Sequence, residues 1–396
     1  MSTASVPTHT RQQETGVGVH DCSQALIQLR VAQHNPHREL GGAGDLPLAR
    51  RPTARHAGGM AKPLAKLISM LTPKRRWAQF SLATMLAVVA VLCMGLSLVV
   101  VPAESQRRAV AAIEALDGSV EYEKPDTTES EAFPWPFLRR WLPRDYFDEV
   151  QDVDLGWTQV TDDGLAHLHG LTGLRILWLA GTQVTDSGLV HLHGLTGLQE
   201  LNLDTTHVTD AGLEHLHGLT ELNGLDLYRT QVTDTGLAHL QGLTGLQELI
   251  LLGTQVTDAG MAHLHGLTNL QSVDLGDTQV TDAGLAHLQG LTALQELNLG
   301  HTQVTDAGLA HLQGLAALQE LNLSSTQVMD AGLAHLQGLM GLKVLGLAGT
   351  QVTDAGLNHL HGLTGLQVLS LGGTHVADAG LEQLRQALPN CQVFGP

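Results

Sequence analysis

A chain of 396 residues that is 43% hydrophobic, 15% charged and only 3% aromatic has room for one large domain with accessory segments. Its formal charge of −18 is uneven: residues 1–76 carry 11 Lys/Arg against 4 Asp/Glu, residues 77–144 carry 6 against 8, and residues 145–396 carry 4 against 27. So acidic a C-terminal region argues against nucleic acid as a partner, because no basic surface answers the phosphates.

Residues 1–76 form a basic segment rich in His, Arg, Gly and Pro, and the lack of periodicity over residues 1–59 predicts disorder. Met60 and Met70 stand close to the next segment as alternative starts of the natural product. Residues 77–103 read as a transmembrane helix. Leu82 to Val101 holds no charge over 20 positions, the length of a bilayer crossing, and Trp77 stands at the expected interface. Lys62, Lys66, Lys74, Arg75 and Arg76 precede the span while Arg107 and Arg108 follow it, so the positive-inside rule puts the N-terminus in the cytoplasm and the rest outside. The competing reading is a signal peptide cleaved near Ala103, whose apolar stretch would exceed the roughly 7–15 residues usual for one.

Residues 104–149 are a juxtamembrane segment. QRRAVAAIEAL (106–116) predicts a short amphipathic helix, leading through Asp117-Gly118 into a strand at Ser119–Glu123 and a polar linker. Phe137, Leu138, Trp141, Leu142, Tyr146 and Phe147 concentrate the apolar surface that the end of a repeat array needs as a cap.

Residues 150–396 repeat one sentence. A threonine returns every 24 residues from Thr158 through Thr182, Thr206, Thr230, Thr254, Thr278, Thr302, Thr326 and Thr350 to Thr374, with no slip of register. In the stretch from Leu294 to Leu315, alternating leucines predict a strand with Leu297 and Leu299 inward and Asn298 outward. Thr302 follows, expected to bond backbone groups of neighbouring coils. Thr305-Asp306 offers a helix N-cap, and Leu309, Leu312 and Leu315 carry helical spacing up to a C-terminal Gly314. A coil with two apolar sides must stack on its neighbours.

The L-x-x-L-x-L-x-x-T-x-V phrase at this period resembles the leucine-rich-repeat superfamily. The resemblance implies an α/β solenoid, a horseshoe with a parallel sheet on the concave face and short helices on the convex face, here preceded by one transmembrane helix. The basic segment, single span, RRAVAAIEALDGSVEYE and WLPRDYFDEVQDVDL also resemble bacterial membrane-anchored leucine-rich-repeat proteins, which implies a topology and no particular activity. The VTDAGL wording is similar to repeats of F-box-type ubiquitin-ligase substrate adaptors as well, but no F-box precedes it here.

Cys22, Cys93 and Cys391 lie in three different segments and define no disulfide framework. No G-x-S-x-G, H-E-x-x-H, P-loop or C-x-x-C motif occurs, so the sequence predicts a protein without enzymatic activity, cofactor or metal. His167 to His359 form one ladder at the 24-residue period, and His169, His193, His217, His265 and His361 form a partial second ladder. The first is expected on the solvent side of the convex face. Within one coil, positions two apart diverge by about 200°, which disfavours chelation. Specificity is expected where coils differ on the concave face, at Trp157, Arg175, Ile176, Trp178, Tyr228, Arg229, Ile250 and Leu252, where aromatic, Arg and aliphatic chemistry suits an interface. The expected partner is a protein or surface polymer held outside the cytoplasm, the competing role being a structural envelope spacer. For Trp157 and Trp178, packing against the N-terminal cap is the other reading.

Overall fold

The computed structural model describes residues 82–122 and 148–395. The basic segment, Trp77 and the six residues expected to cap the array (Phe137 to Phe147) lie outside the described residues. The chain forms two compact units that part between Val101 and Pro102.

Helix α1 (Leu82–Ala115) covers the whole of Leu82–Val101 and continues past it, with Pro102 inside. A proline there removes one bond to the carbonyl four residues back. Met85, Leu86, Val88, Val89, Val91, Met94 and Val101 are each 52–63% exposed. The side chains at 82, 83, 92, 93 and 95–99 lie outside the described residues. Among the described residues no helix is long and apolar enough to cross a membrane.

From Pro102 onward the chain builds a solenoid. Strand β1 (Ser119–Tyr122) runs antiparallel to β2 (Val150–Asp154). The parallel strands that follow are β3 (Ile176–Trp178), β4 (Glu200–Asn202), β5 (Gly224–Asp226), β6 (Glu248–Ile250), β7 (Ser272–Asp274) and β8 (Glu296–Asn298). They continue as β9 (Glu320–Asn322), β10 (Val344–Gly346), β11 (Val368–Ser370) and β12 (Gln392–Phe394), in strict sequence order across one sheet. From Asp152 in β2 onward the strands pair residue by residue at an offset of 24, as Val153 does with Leu177 and Leu297 with Leu321.

The seven apolar positions of a coil fill its interior. Leu294, Leu297, Leu299, Val304, Leu309, Leu312 and Leu315 are at most 2% exposed. Their return stretch is one α-helical turn, Asp306–Leu309, running directly into a 3-10 turn, Ala310–Leu312. Thr305 caps it with extended backbone, its hydroxyl accepting from the Ala307 N–H at 3.3 Å.

Two hydrogen-bond devices differ from the sequence expectation. Thr302 does not reach a neighbouring coil: its hydroxyl donates to the Leu299 carbonyl of its own coil at 2.6 Å, and Thr182 to Thr374 repeat this. The bond between coils is made by the aspartate at the helix start. Asp258 accepts the Thr281 N–H at 2.7 Å, the Thr281 hydroxyl at 2.6 Å and the Gly284 N–H at 2.9 Å. A β-carbon on Gly284 would stand 2.5 Å from Asp258 Oδ1, so this glycine exists to admit the previous coil's carboxylate. At Asp210 burial opposes ionisation. Bonds from the Thr233 hydroxyl and N–H, from Thr235 and from Gly236 outweigh it and hold the carboxyl below its usual range.

The first coil is covered by the C-terminal part of α1, where Ala103, Gln106, Ala109, Val110 and Ile113 are buried. Gln106 behaves like one more strand: its Nε2 donates to the Asp148 carbonyl at 2.8 Å and its Oε1 accepts the Val150 N–H at 3.2 Å. The strand expected at Ser119–Glu123 is present as β1. At the other end helix α2 (Asp378–Ala387) buries Leu381 and Leu384, and half-buried Cys391 packs on the core before β12.

Two coils keep only part of the clamp, those with Met329 and with Ala377, whose N–H alone bonds Asp354 at 2.7 Å. Met329 stands where the repeat has threonine, so Asp306 keeps the backbone bond to residue 329 at 2.7 Å, and a methionine offers no hydroxyl for the second bond or the cap. Met329→Thr restores both. It is expected to raise the unfolding free energy by about 0.5–2 kcal/mol, read by denaturant titration of the two chains.

Candidate functional site

Because the coils pair at a fixed offset, side chains on the solvent face of the sheet stand in columns. The column at the strand ends reads Asp154, Trp178, Asn202, Asp226, Ile250, Asp274, Asn298, Asn322, Gly346 and Ser370. Its Asp and Asn members share one local task, each accepting the N–H two residues on. Asp154 binds Gly156 at 2.8 Å, Asn202 binds Asp204 at 2.9 Å and Asp226 binds Tyr228 at 2.9 Å. Asp274, Asn298 and Asn322 do the same. This is an Asx turn, which bends the chain out of the strand. Adjacent members also join across coils, Asn202 to Asp226 at 2.9 Å and Asn298 to Asp274 at 2.8 Å.

Three residues beyond each strand end the backbone turns left-handed. The ten residues Trp157, Gly181, Thr205, Arg229, Gly253, Asp277, His301, Ser325, Gly349 and Gly373 all have φ between 50° and 72°. Glycine takes this conformation without strain, whereas an L-residue pays about 1–2 kcal/mol. Six coils therefore carry a side chain that the local backbone disfavours.

The residues singled out from the sequence fall onto these columns. Trp178 and Ile250 occupy strand-end positions and replace the Asx turn by apolar surface. Trp157 and Arg229 occupy left-handed positions. Tyr228 and Leu252 share the column between them, Ile176 lies in β3 between Asp152 and Glu200, and Arg175 precedes β3. Trp157 is 62% exposed and its ring lies over Gly181 of the following coil, where a β-carbon would overlap it, so the ring is placed on the next coil. The Arg229 guanidinium sits 5.1 Å from the centre of the Tyr228 ring, and the Arg229 stem passes over Gly253. Leu252 leans likewise on Gly276.

Tyr228, Arg229, Ile250 and Leu252 thus stand together on the β5 and β6 coils, with Asp226 and Ile250 paired in register. Trp157, Ile176 and Trp178 stand together on the β2 and β3 coils. Between the two groups the β4 coil presents Asn202, Asp204 and exposed Thr205. The sequence reading missed the carboxylates of this region. Burial, the largest influence, pushes Asp226 up from 3.8 to about 7; the Tyr228 N–H opposes the rise, and the charges of Asp204, Glu248 and Asp274 add to it. Burial also raises Asp204, against the Thr205 hydrogen bond and the charge of Arg229. Writing the coils one under another would have exposed this column, since Asp, Asn, Trp and Ile alternate there at a single position.

On the helical face, the first histidine ladder is less solvated than expected. His263, His311, His335 and His359 are half-buried, each with its Nδ1 2.7–3.0 Å from the side-chain nitrogen of Gln241, Gln289, Gln313 or Gln337 on the preceding coil. No group of three or more metal-ligating side chains converges among the described residues.

A parallel sheet built one strand per coil, a helical turn on the return, and leucines at the repeat positions define a leucine-rich-repeat protein. A leucine-rich-repeat family model matches residues 268–328. Among solved structures the chain is similar to an internalin C2 from Listeria monocytogenes, at 29% identity over 53% of this chain and 84% of that one, with a TM-score of 0.43. It is also similar to an internalin F from the same organism, at 23% identity over 68% of this chain and 95% of that one, TM-score 0.39. A further similarity is to a TDR receptor, at 16% identity over 62% of this chain and 42% of that one, TM-score 0.46. No curated protein matches the chain.

The strand-end column yields a pH prediction. Asp226 binds its proton more tightly in the folded chain than in the unfolded one, so its contribution to stability is greatest at acid pH. That contribution declines as pH rises from 3.8 towards about 7. Asparagine fits at this position, because Asn298 Oδ1 already accepts both the Gly300 N–H and the Asn322 amide. Asp226→Asn should therefore remove the decline and raise the unfolding free energy at pH 8 by on the order of 2 kcal/mol, with little change near pH 4. Denaturant titrations of both chains at the two pH values check this.

Proposed function

We propose that this chain is a single-pass, membrane-anchored leucine-rich-repeat protein that displays its sheet face outside the cytoplasm and binds a protein or surface polymer there. The observation that carries the binding role is the pattern of local rules given up on that face. Trp178 and Ile250 replace residues that would stabilise the strand end. Trp157 and Arg229 hold a backbone conformation that glycine adopts freely. Sequences keep such local costs where something else depends on the side chain. Tyr228 with Arg229, and Ile250 with Leu252, offer aromatic, guanidinium and aliphatic surface on adjacent coils, the chemistry of binding hot spots.

Anchoring rests on Leu82–Val101. This uncharged stretch lies in one continuous helix, and its described side chains expose methionine, leucine and valine. Such a surface needs a nonaqueous neighbour, and the basic residues before it orient the chain.

The topology is tested in membranes carrying the full chain. Protease added to the outer face of the inner membrane is expected to digest the repeats, and digestion only after that membrane is broken overturns the orientation. Binding is tested by affinity capture with the full chain in detergent, in parallel with Tyr228→Ala/Arg229→Ala. A saturable partner should bind the double variant about 1–4 kcal/mol more weakly while the unfolding transition stays in place. Unchanged binding that is lost on altering Asn298 and Asn322 moves the site to the other half of the sheet. The absence of any saturable partner favours the spacer role.

A further inference from the structure

The second histidine column contains an arrangement that the binding role leaves unused. It reads His169, His193, His217, Gln241, His265, Gln289, Gln313, Gln337 and His361. Only at its start do histidines occupy successive coils, and there the rings approach: the His193 and His217 centroids are 6.2 Å apart, inclined at 39°. Both rings are exposed, each at the C-terminal end of its 3-10 turn.

In two rings of this column the backbone sets the tautomer. His217 Nδ1 lies 2.7 Å from the Glu214 carbonyl, and His169 Nδ1 lies 2.9 Å from the Ala166 carbonyl. A carbonyl can only accept, so in each ring Nδ1 carries the hydrogen and Nε2 keeps its lone pair. That is how a ligating histidine is normally held, one nitrogen tied to a carbonyl and the other turned to the metal. His193 makes no side-chain hydrogen bond among the described residues. It leans towards Gly218, its Nδ1 3.9 Å from where a β-carbon there would stand, over the coil that carries His217.

We propose that His193 and His217 chelate one late first-row divalent metal ion on the helical face, completed by water or by a group from a partner. With metal–nitrogen bonds of about 2.0–2.1 Å, a tetrahedral ion holds two imidazole centroids roughly 5 Å apart, so these two exposed rings close by about 1 Å to share one. Divergence within a coil, which disfavours chelation by neighbours such as His215 and His217, does not apply across coils. The two histidines lie 24 residues apart on two stacked turns, so no local motif marks the pair. Imidazole donors favour Cu²⁺ over Zn²⁺ and Zn²⁺ over Mn²⁺.

The column supplies its own conservative substitution, since glutamine occupies it on four other coils. Full chain without a histidine tag, solubilised in detergent, is titrated with CuCl₂ and separately with ZnCl₂, following heat and, for copper, the nitrogen couplings in its electron paramagnetic resonance spectrum. His193→Gln or His217→Gln should weaken one site at least about tenfold for either metal, and the double variant should bind one ion fewer per chain. His265→Gln, a histidine flanked by glutamines in the same column, should change nothing. Equal titrations for the parent and the double variant overturn the proposal, as does an equal loss on His265→Gln. The thermal unfolding transition of the double variant without metal should match the parent, which separates lost ligands from lost fold.

Discussion

One carboxylate per coil holds this solenoid in register. The aspartate that starts each helical turn reaches forward to the next coil, where it accepts the threonine N–H and, wherever threonine is present, its hydroxyl. The contact works only because the residue three beyond that threonine is glycine, whose missing β-carbon leaves the space the carboxylate fills. The T-D-x-G wording is therefore one device spread over two coils. Aspartate accepts, threonine and glycine donate, and the same wording repeats both roles 24 positions later. Leucine burial supplies the larger energy but is non-directional. The clamp is directional, and it helps fix which residue lies opposite which.

This division explains what could be read from the sequence. Leu297, Leu299 and Leu309 announce strand, turn and helix by their spacing, so the parallel sheet and the seven-residue interior of each coil were legible. Thr305 as an N-cap was legible too, because capping is local in sequence. The partner of Thr302 was misjudged because a hydroxyl can reach either its own coil or the next, and spacing does not choose. The destination of Asp258 was missed because it lies in a different copy of the same sentence. The C-terminal part of α1 was expected as a helix. Its role over the first coil depends on Gln106 matching an edge strand, which no periodicity encodes.

The eight candidate binding residues were legible as departures from the repeat, but the reason they matter was not. Reading Trp178 and Ile250 as exposed apolar residues leaves them equal to any surface leucine. Placed in their column, they put apolar surface where Asp154, Asn202, Asp226 and Asp274 keep an Asx turn. Their neighbours bear a cost as well. With Ile250 in the column, Asp226 has an amide partner on Asn202 to one side and an apolar side chain on the other, while burial and three nearby carboxylates raise its proton affinity.

Near-identical coils limit where a chain of this kind can vary. A change at a leucine, at the clamp aspartate or at its receiving glycine disturbs two coils at once, because every such residue packs on the next copy. The left-handed column and its neighbour are less constrained: Trp157, Thr205, Arg229, Asp277 and His301 are exposed there, and Tyr228 and Leu252 half-buried. Even there, size is matched across coils: Trp157 lies over Gly181, Arg229 over Gly253 and Leu252 over Gly276. At these three places a large side chain lies over a glycine of the next coil, whereas Tyr228 and Leu252 follow one another in a single column. The tryptophan group and the Tyr228 group, laid out on either side of the β4 coil, each meet such a glycine: Gly181 for the first, Gly253 and Gly276 for the second.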